Sequence, residues 1–221
     1  MLEALANEDN AFITLTYADE HLPAGSNLRP DDIQLFWKRL RDRFGKFRYF
    51  AVGEYGDLTH RPHYHAALFG YPACADLRSY SRPSFKCMCF SCSTIRDTWG
   101  LGDTKCLRLE PASAAYIAAY TTKKLTSKDD PRLNGRHPEF SRMSRRPGIG
   151  SHIVDDIASE LLKHGLDETQ ADVPEALRHG NKMMPLGRFL RSKIRERIGH
   201  EKTPSQAGTD VKKAQLQTLL S

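Results

Sequence analysis

The sequence predicts an α+β fold, an antiparallel sheet with helices packed on it, followed by a helical or irregular C-terminal region. Four runs rich in β-branched and aromatic residues read as strands, two longer segments carry helix signals, and one turn joins two of the strands into a hairpin. The resulting order is strand, helix, strand, strand, helix or loop, strand, helix, the split βαβ order of a ferredoxin-like sheet.

The first strand is AFITLTY at 11–17, and the HLPAGSNLRP after it is loop. PDDIQLFWKRLRDRFG follows, with Pro30 and two aspartates at a helix start and Gly45 just past its end. Ile33, Phe36, Trp37, Leu40 and Phe44 repeat at helical spacing and predict a buried face. KFRYFAVGE (46–54) is the second strand, EYGDLTHRP a turn, and HYHAALFGY the third strand, antiparallel to the second. Between 72 and 100 the signal weakens to a loop containing proline and cysteine and a short helix ending near Trp99. DTKCLRLE (103–110) is the fourth strand, and the alanine-rich PASAAYIAAYTTKKL (111–125), opened by a proline, is a helix. The chain beyond about residue 127 reads as loop-rich, with a short acidic helix at 151–163 and an amphipathic helix in PLGRFLRSKIRERIG. In that helix Leu186, Phe189, Leu190, Ile194 and Ile198 share one side.

The 221 residues are 39% hydrophobic and 27% charged, the balance of a soluble globular protein. There is no apolar run of membrane-span length, and the acidic N-terminus lacks the order of a signal peptide, so an intracellular protein is expected. The formal charge of +6 is uneven: residues 1–154 carry a net +5, residues 155–177 a net −6, and residues 178–221 a net +7. Basic front and tail segments suit a polyanionic partner such as nucleic acid, although surface solvation produces the same surplus. The five cysteines are Cys74, Cys87, Cys89, Cys92 and Cys106. An odd count without a secretory signal argues for metal binding or reduced thiols over a disulfide framework. Cys87, Cys89 and Cys92 offer three ligands where a structural zinc site wants four; Cys74, Cys106 or a histidine could complete the set.

His63 and His65 stand one residue apart in a strand and share a face, while Tyr64 points to the other. An exposed strand face that happens to carry two histidines is the plain reading. The hairpin brings Glu54 toward them, and two imidazoles with one carboxylate form an open site for Mg²⁺ or Mn²⁺, of which Mn²⁺ tolerates imidazole better. Tyr116 and Tyr120, four apart, share one helix face, with Lys123 and Lys124 following. A tyrosine stripe can be packing. Beside a metal-bound phosphate, however, a phenol can attack phosphorus, expel a 3′ oxygen and form a 5′-phosphotyrosine, with a lysine as charge partner.

FITLTY, RPHYHAALFG and YIAAYTTKK, in that order and spacing, resemble the three motifs of the HUH endonucleases that initiate rolling-circle replication. The pattern Y-x-x-x-Y-x-x-K-K is similar to that of the two-tyrosine initiators of small isometric single-stranded DNA phages. LTYADEHLP, GEYG and PEFSRMSRRPGIG are similar to the replication initiators of the gokushovirus branch of the microviruses. The resemblance covers roughly residues 8–150, with a weaker likeness through MMPLGRFLR. It implies an HUH endonuclease domain over 1–128, a loop-rich extension over 129–177 and a basic, partly helical tail over 178–221. It further implies metal ligands Glu54, His63 and His65, alternating nucleophiles Tyr116 and Tyr120, and assistance from Lys123 or Lys124. A single-stranded DNA origin, a host helicase and a host polymerase would be the partners, in the host cell cytoplasm and with no membrane involved. Relatives of this type carry a cysteine-rich segment upstream of the first strand, so a shortened form is one expectation. Two other readings share parts of this pattern: an HUH relaxase or transposase of a mobile element, and a non-catalytic domain binding single strands through exposed aromatics.

Overall fold

Five antiparallel strands form the main sheet in the order β4-β1-β3-β2-β5, in a computed structural model that describes residues 1–76, 78, 86–123, 127, 129–165 and 172–199. A one-turn helix, α1 (Leu2–Leu5), precedes β1 (Asn10–Thr16), and α2 (Pro30–Phe44) leads into the hairpin of β2 (Arg48–Tyr55) and β3 (Pro62–Phe69). Then come α3 (Phe90–Trp99), β4 (Thr104–Arg108), α4 (Pro111–Lys123) and β5 (Phe140–Met143). The first four strands lie in the order 4-1-3-2, so the ferredoxin-like arrangement expected from the element order is the one found.

Strand alternation divides the sheet into two unlike faces. Along β1, Ala11, Ile13 and Leu15 are buried while Phe12, Thr14 and Thr16 are half-buried. The first set joins Tyr64, Ala66 and Leu68 of β3 in one core with Ile33, Phe36, Trp37 and Leu40 of α2 and Ile95 and Trp99 of α3. Trp37 stacks on Tyr49 with ring centroids 4.5 Å apart, and the Trp99 indole N–H donates to Thr16 O at 2.8 Å. Pro30 starts α2, and Gly45 ends it with φ of +107°, a conformation that a side chain would strain. The opposite face is covered by α4, where Ile117 packs with Val52, Ala67 and Phe69.

Residues 140–143 differ from the loop-rich reading of the chain after 127. They form β5, which pairs with β2 from Phe50↔Met143 to Gly53↔Phe140. Four residues flanked by charge give too little alternation to register in the sequence. The residue opposite Phe140 must be small, because a Cβ on Gly53 would come within 2.8 Å of the Phe140 ring.

The chain divides into two compact units, Met1–Ile149 and Gly150–Ser221. The second contains α5 (Ile153–Lys163), a hairpin of β6 (Ala176–His179) and β7 (Lys182–Pro185), and α6 (Arg188–Ile198). Val154, Ala158 and Leu161 of α5 and Leu190 and Ile194 of α6 are buried, and the two helices pack together. The hairpin is a further departure from the sequence reading. Its cue is the Gly180-Asn181 pair, with Gly180 at φ of +57°, between two short runs. Among the described residues no helix is long and apolar enough to cross a membrane.

Candidate active site

The registers of β2 and β3 place Glu54 opposite His63 and Val52 opposite His65. The three polar side chains therefore rise on the sheet face under α4, and their ligating atoms lie within 4.8 Å of one another. Glu54 Oε1 is 2.8 Å from His63 Nε2 and 3.2 Å from His65 Nε2, and the carboxylate is only 2% exposed. A carboxylate so buried requires donors or a cation.

The far sides of both rings are held. His63 Nδ1 lies 3.1 Å from the Arg61 carbonyl, which can only accept, so this nitrogen carries a hydrogen. In the neutral ring the Nε2 lone pair then faces the Glu54 carboxylate, an arrangement that calls for a proton or a cation between them. Burial disfavours the charged imidazole, but the hydrogen bond and charge of Glu54 outweigh it and raise the His63 pKa above its ordinary value. His65 Nδ1 is 3.0 Å from Thr14 Oγ1, and its ring stacks on Phe12 with centroids 5.6 Å apart. Arg61 is itself fixed, its guanidinium reaching Asp19 Oδ1 at 2.7 Å and Tyr17 O at 2.9 Å.

Tyr64 is turned into the core below. Its hydroxyl lies 2.9 Å from that of Tyr17, accepts from the Arg29 N–H at 3.0 Å and donates to the Arg29 carbonyl at 2.9 Å. Burial pushes this phenol up to about 12, the property of an anchor rather than a nucleophile.

Tyr116 stands apart from the other phenols. The buried Ile117 next to it fixes the rotation of α4 on the sheet, and the Tyr116 hydroxyl donates to Glu54 Oε1 at 3.0 Å. The same ring meets His65 edge-on at 5.4 Å, yet the residue is 43% exposed and open to solvent. Four of the residues singled out in the sequence, Glu54, His63, His65 and Tyr116, are thus brought together. Tyr120 and Lys123 lie on the last turn of α4 with their side chains outside the described residues, and Lys124 lies outside them altogether. The sequence reading missed Thr14, Phe12 and the Arg61 carbonyl. For Thr14 and Phe12 the available signal was strand alternation, since both share the β1 face that pairs with His65 and Ala67.

Cys87, Cys89 and Cys92 also come together, and the fourth thiol is Cys74, with all four sulfurs within 4.8 Å of one another. This cluster is separate from the histidine-bearing face: Cys74, Cys87 and Cys92 belong to the core on the other side of the sheet.

Residues 10–125 match the family model for the replication-associated protein ORF2. The chain is 30% identical over 167 residues to the replication-associated protein VP4 of Bdellovibrio phage phiMH2K, covering 72% of this chain and 52% of the relative. It is 38% identical over 159 residues to the replication-associated protein ORF2 of Spiroplasma virus 4, covering 67% and 48% respectively. The replication-associated protein ORF4 of Chlamydia phage 1 is 30% identical over 132 residues, 56% of this chain and 33% of that protein. The chain spans about half the length of the first two of these relatives. No solved structure matches the chain.

Proposed function

The chain belongs to the replication-associated protein ORF2 family, and from that premise we propose that it initiates rolling-circle replication by nicking single-stranded viral DNA. Tyr116 is the nucleophile closest to the metal-binding group, and Tyr120, one helical turn on, is the second. The observation that carries this reading is the meeting of Tyr116 Oη, His63 Nε2 and His65 Nε2 at one oxygen of Glu54.

The donor set fits a divalent cation. Two imidazole nitrogens aim inward with their Nδ1 atoms engaged behind, and a buried carboxylate completes an open, three-ligand face. Mixed nitrogen and oxygen ligands suit Mn²⁺ or Mg²⁺. When bound, such an ion supplies Lewis-acid polarisation of a phosphoryl oxygen. The hydrogen bond to Glu54 holds the Tyr116 phenol at the edge of the donor group, where a phosphate seated there would meet it. The tyrosine oxygen attacks phosphorus, the phenol gives up its proton, and the DNA 3′ oxygen leaves and takes one up. Lys123 or Lys124 balances charge on the phosphate or the departing oxygen. The products are a 5′-phosphotyrosine and a 3′ hydroxyl that a host helicase and polymerase extend in the host cytoplasm. Tyr120 then attacks the regenerated origin and releases a closed circle.

Incubation of the protein with a single-stranded origin oligonucleotide and Mn²⁺ tests this directly. A covalent protein–DNA adduct should form, and His63→Ala with His65→Ala should reduce its rate by about 100-fold or more, the scale of a lost Lewis acid. Undiminished cleavage by that double variant would remove the metal from the mechanism.

A further inference from the structure

Two stretches of chain that are distant from the histidine-bearing face converge on four sulfurs. Cys74 lies in the segment after β3, Cys87 and Cys89 immediately precede α3, and Cys92 sits in its first turn. The Cys89 and Cys74 sulfurs are 3.8 Å apart, and no pair among the four exceeds 4.8 Å. Thiolates bound tetrahedrally to zinc at about 2.3 Å stand about 3.8 Å from each other. A disulfide needs about 2.05 Å, and the five cysteines form none.

The surroundings suit thiolates more than thiols. The Asp76 N–H donates to Cys74 Sγ at 3.4 Å and the Cys89 N–H to Cys87 Sγ at 3.4 Å, the outer hydrogen bonds that metal-bound sulfur accepts. Cys92 lies in the first turn of α3, where the helix dipole favours negative charge. Arg96, one turn further, donates to Cys87 O at 3.0 Å and brings a cation to the cluster. Cys74, Cys87 and Cys92 are buried, and a closed set of four sulfurs leaves no position for a reacting water, which separates a structural ion from a catalytic one.

We propose that Cys74, Cys87, Cys89 and Cys92 bind one structural zinc ion that pins the chain after β3 to the start of α3. The consequence reaches the sheet, because the other end of α3 carries Trp99, whose indole holds the carbonyl of Thr16 opposite His63. Cys106, on β4 beside Cys92, is not one of the ligands.

Metal content of the purified full chain, after EDTA treatment and desalting, is the measurement, made in a His63→Ala/His65→Ala background so that only the thiols report. One zinc per chain should remain. Cys89→Ser, the mildest change because Cys89 is the least buried of the four, should lose it, whereas Cys89→His should keep it as a three-thiolate, one-imidazole site. Cys106→Ser should also keep it, and Co²⁺ in place of zinc should show the intense absorption of a tetrahedral thiolate site that Cys89→Ser abolishes. Absence of metal with the four cysteines intact, zinc that survives Cys89→Ser, zinc lost with Cys106→Ser, or iron with sulfide in its place would each overturn the proposal. Because the readout is bound metal in a variant without the histidines, its failure is distinguishable from failure of the nicking reading.

Discussion

Arg61 serves the histidine pair through its backbone, since its carbonyl fixes the His63 tautomer while its guanidinium is spent on Asp19 and Tyr17. Thr14 does the corresponding work for His65 through a single hydroxyl at 3.0 Å. Partners of this kind orient a ligand and raise its basicity, and losing one weakens metal binding by about 10- to 100-fold. Thr14→Val keeps the branched shape on β1 and removes the hydroxyl, so Mn²⁺ titration should show affinity falling within that range while Thr14→Ser restores it. Equal Mn²⁺ affinity in the valine variant would mean that the His65 orientation is set by Phe12 stacking instead. Residues chosen for side-chain chemistry, Glu54, His63, His65 and Tyr116, were legible in the sequence because two-residue strand alternation and an antiparallel hairpin fix which face each occupies. Thr14 and the Arg61 carbonyl were not, because a threonine in a strand is ordinary and a carbonyl has no signature.

Among the elements, the four longer strands, α2 and α4 were readable from periodicity and helix-start signals, while β5 and the β6–β7 hairpin were not. Each of these later strands has only four residues, and their pairing depends on partners supplied by the rest of the fold. The expectation for α6 holds in part: Leu186, Leu190 and Ile194 are buried, but Phe189 is exposed. The arginines of that helix also do more than solvate it. Arg195 contacts Asp172 at 2.6 Å and Arg191 contacts it at 2.8 Å, tying the segment before β6 to α6. The hydrogen bond from Arg195 is the main cause that holds the Asp172 carboxyl well below the usual carboxylate range. A depressed folded-state pKa gives stability that is present above the unfolded value of about 3.9 and lost as pH falls through the lower folded value. Thermal melts of the second unit should therefore weaken progressively below about pH 4, and Asp172→Asn should lower the neutral-pH melting temperature and flatten that acid dependence. An unchanged acid profile in Asp172→Asn would show that the ion pairs contribute nothing there.

At the scale of the whole molecule, the contrast between the acidic block (155–177) and the basic block (178–221) reads differently once the fold is known. Arg191 pairs with Asp172 and Glu175, Arg195 with Asp172, and Arg197 with Asp155, so much of the basic charge on α6 is met inside its own unit. The +5 on residues 1–154 is then the surplus relevant to a polyanion, and it belongs to the part of the chain that carries the histidines and tyrosines. The central claim is that Tyr116, hydrogen-bonded to the ligand Glu54, is a nucleophile toward DNA phosphorus. It is tested most directly by peptide mass spectrometry of the adduct formed with a single-stranded origin oligonucleotide and Mn²⁺ in the Tyr120→Phe variant. The account predicts a nucleotide attached through its 5′ phosphate to Tyr116 and no adduct in the Tyr116→Phe/Tyr120→Phe protein. A nucleotide mapped to any other residue, or an adduct that survives loss of both phenols, would contradict it.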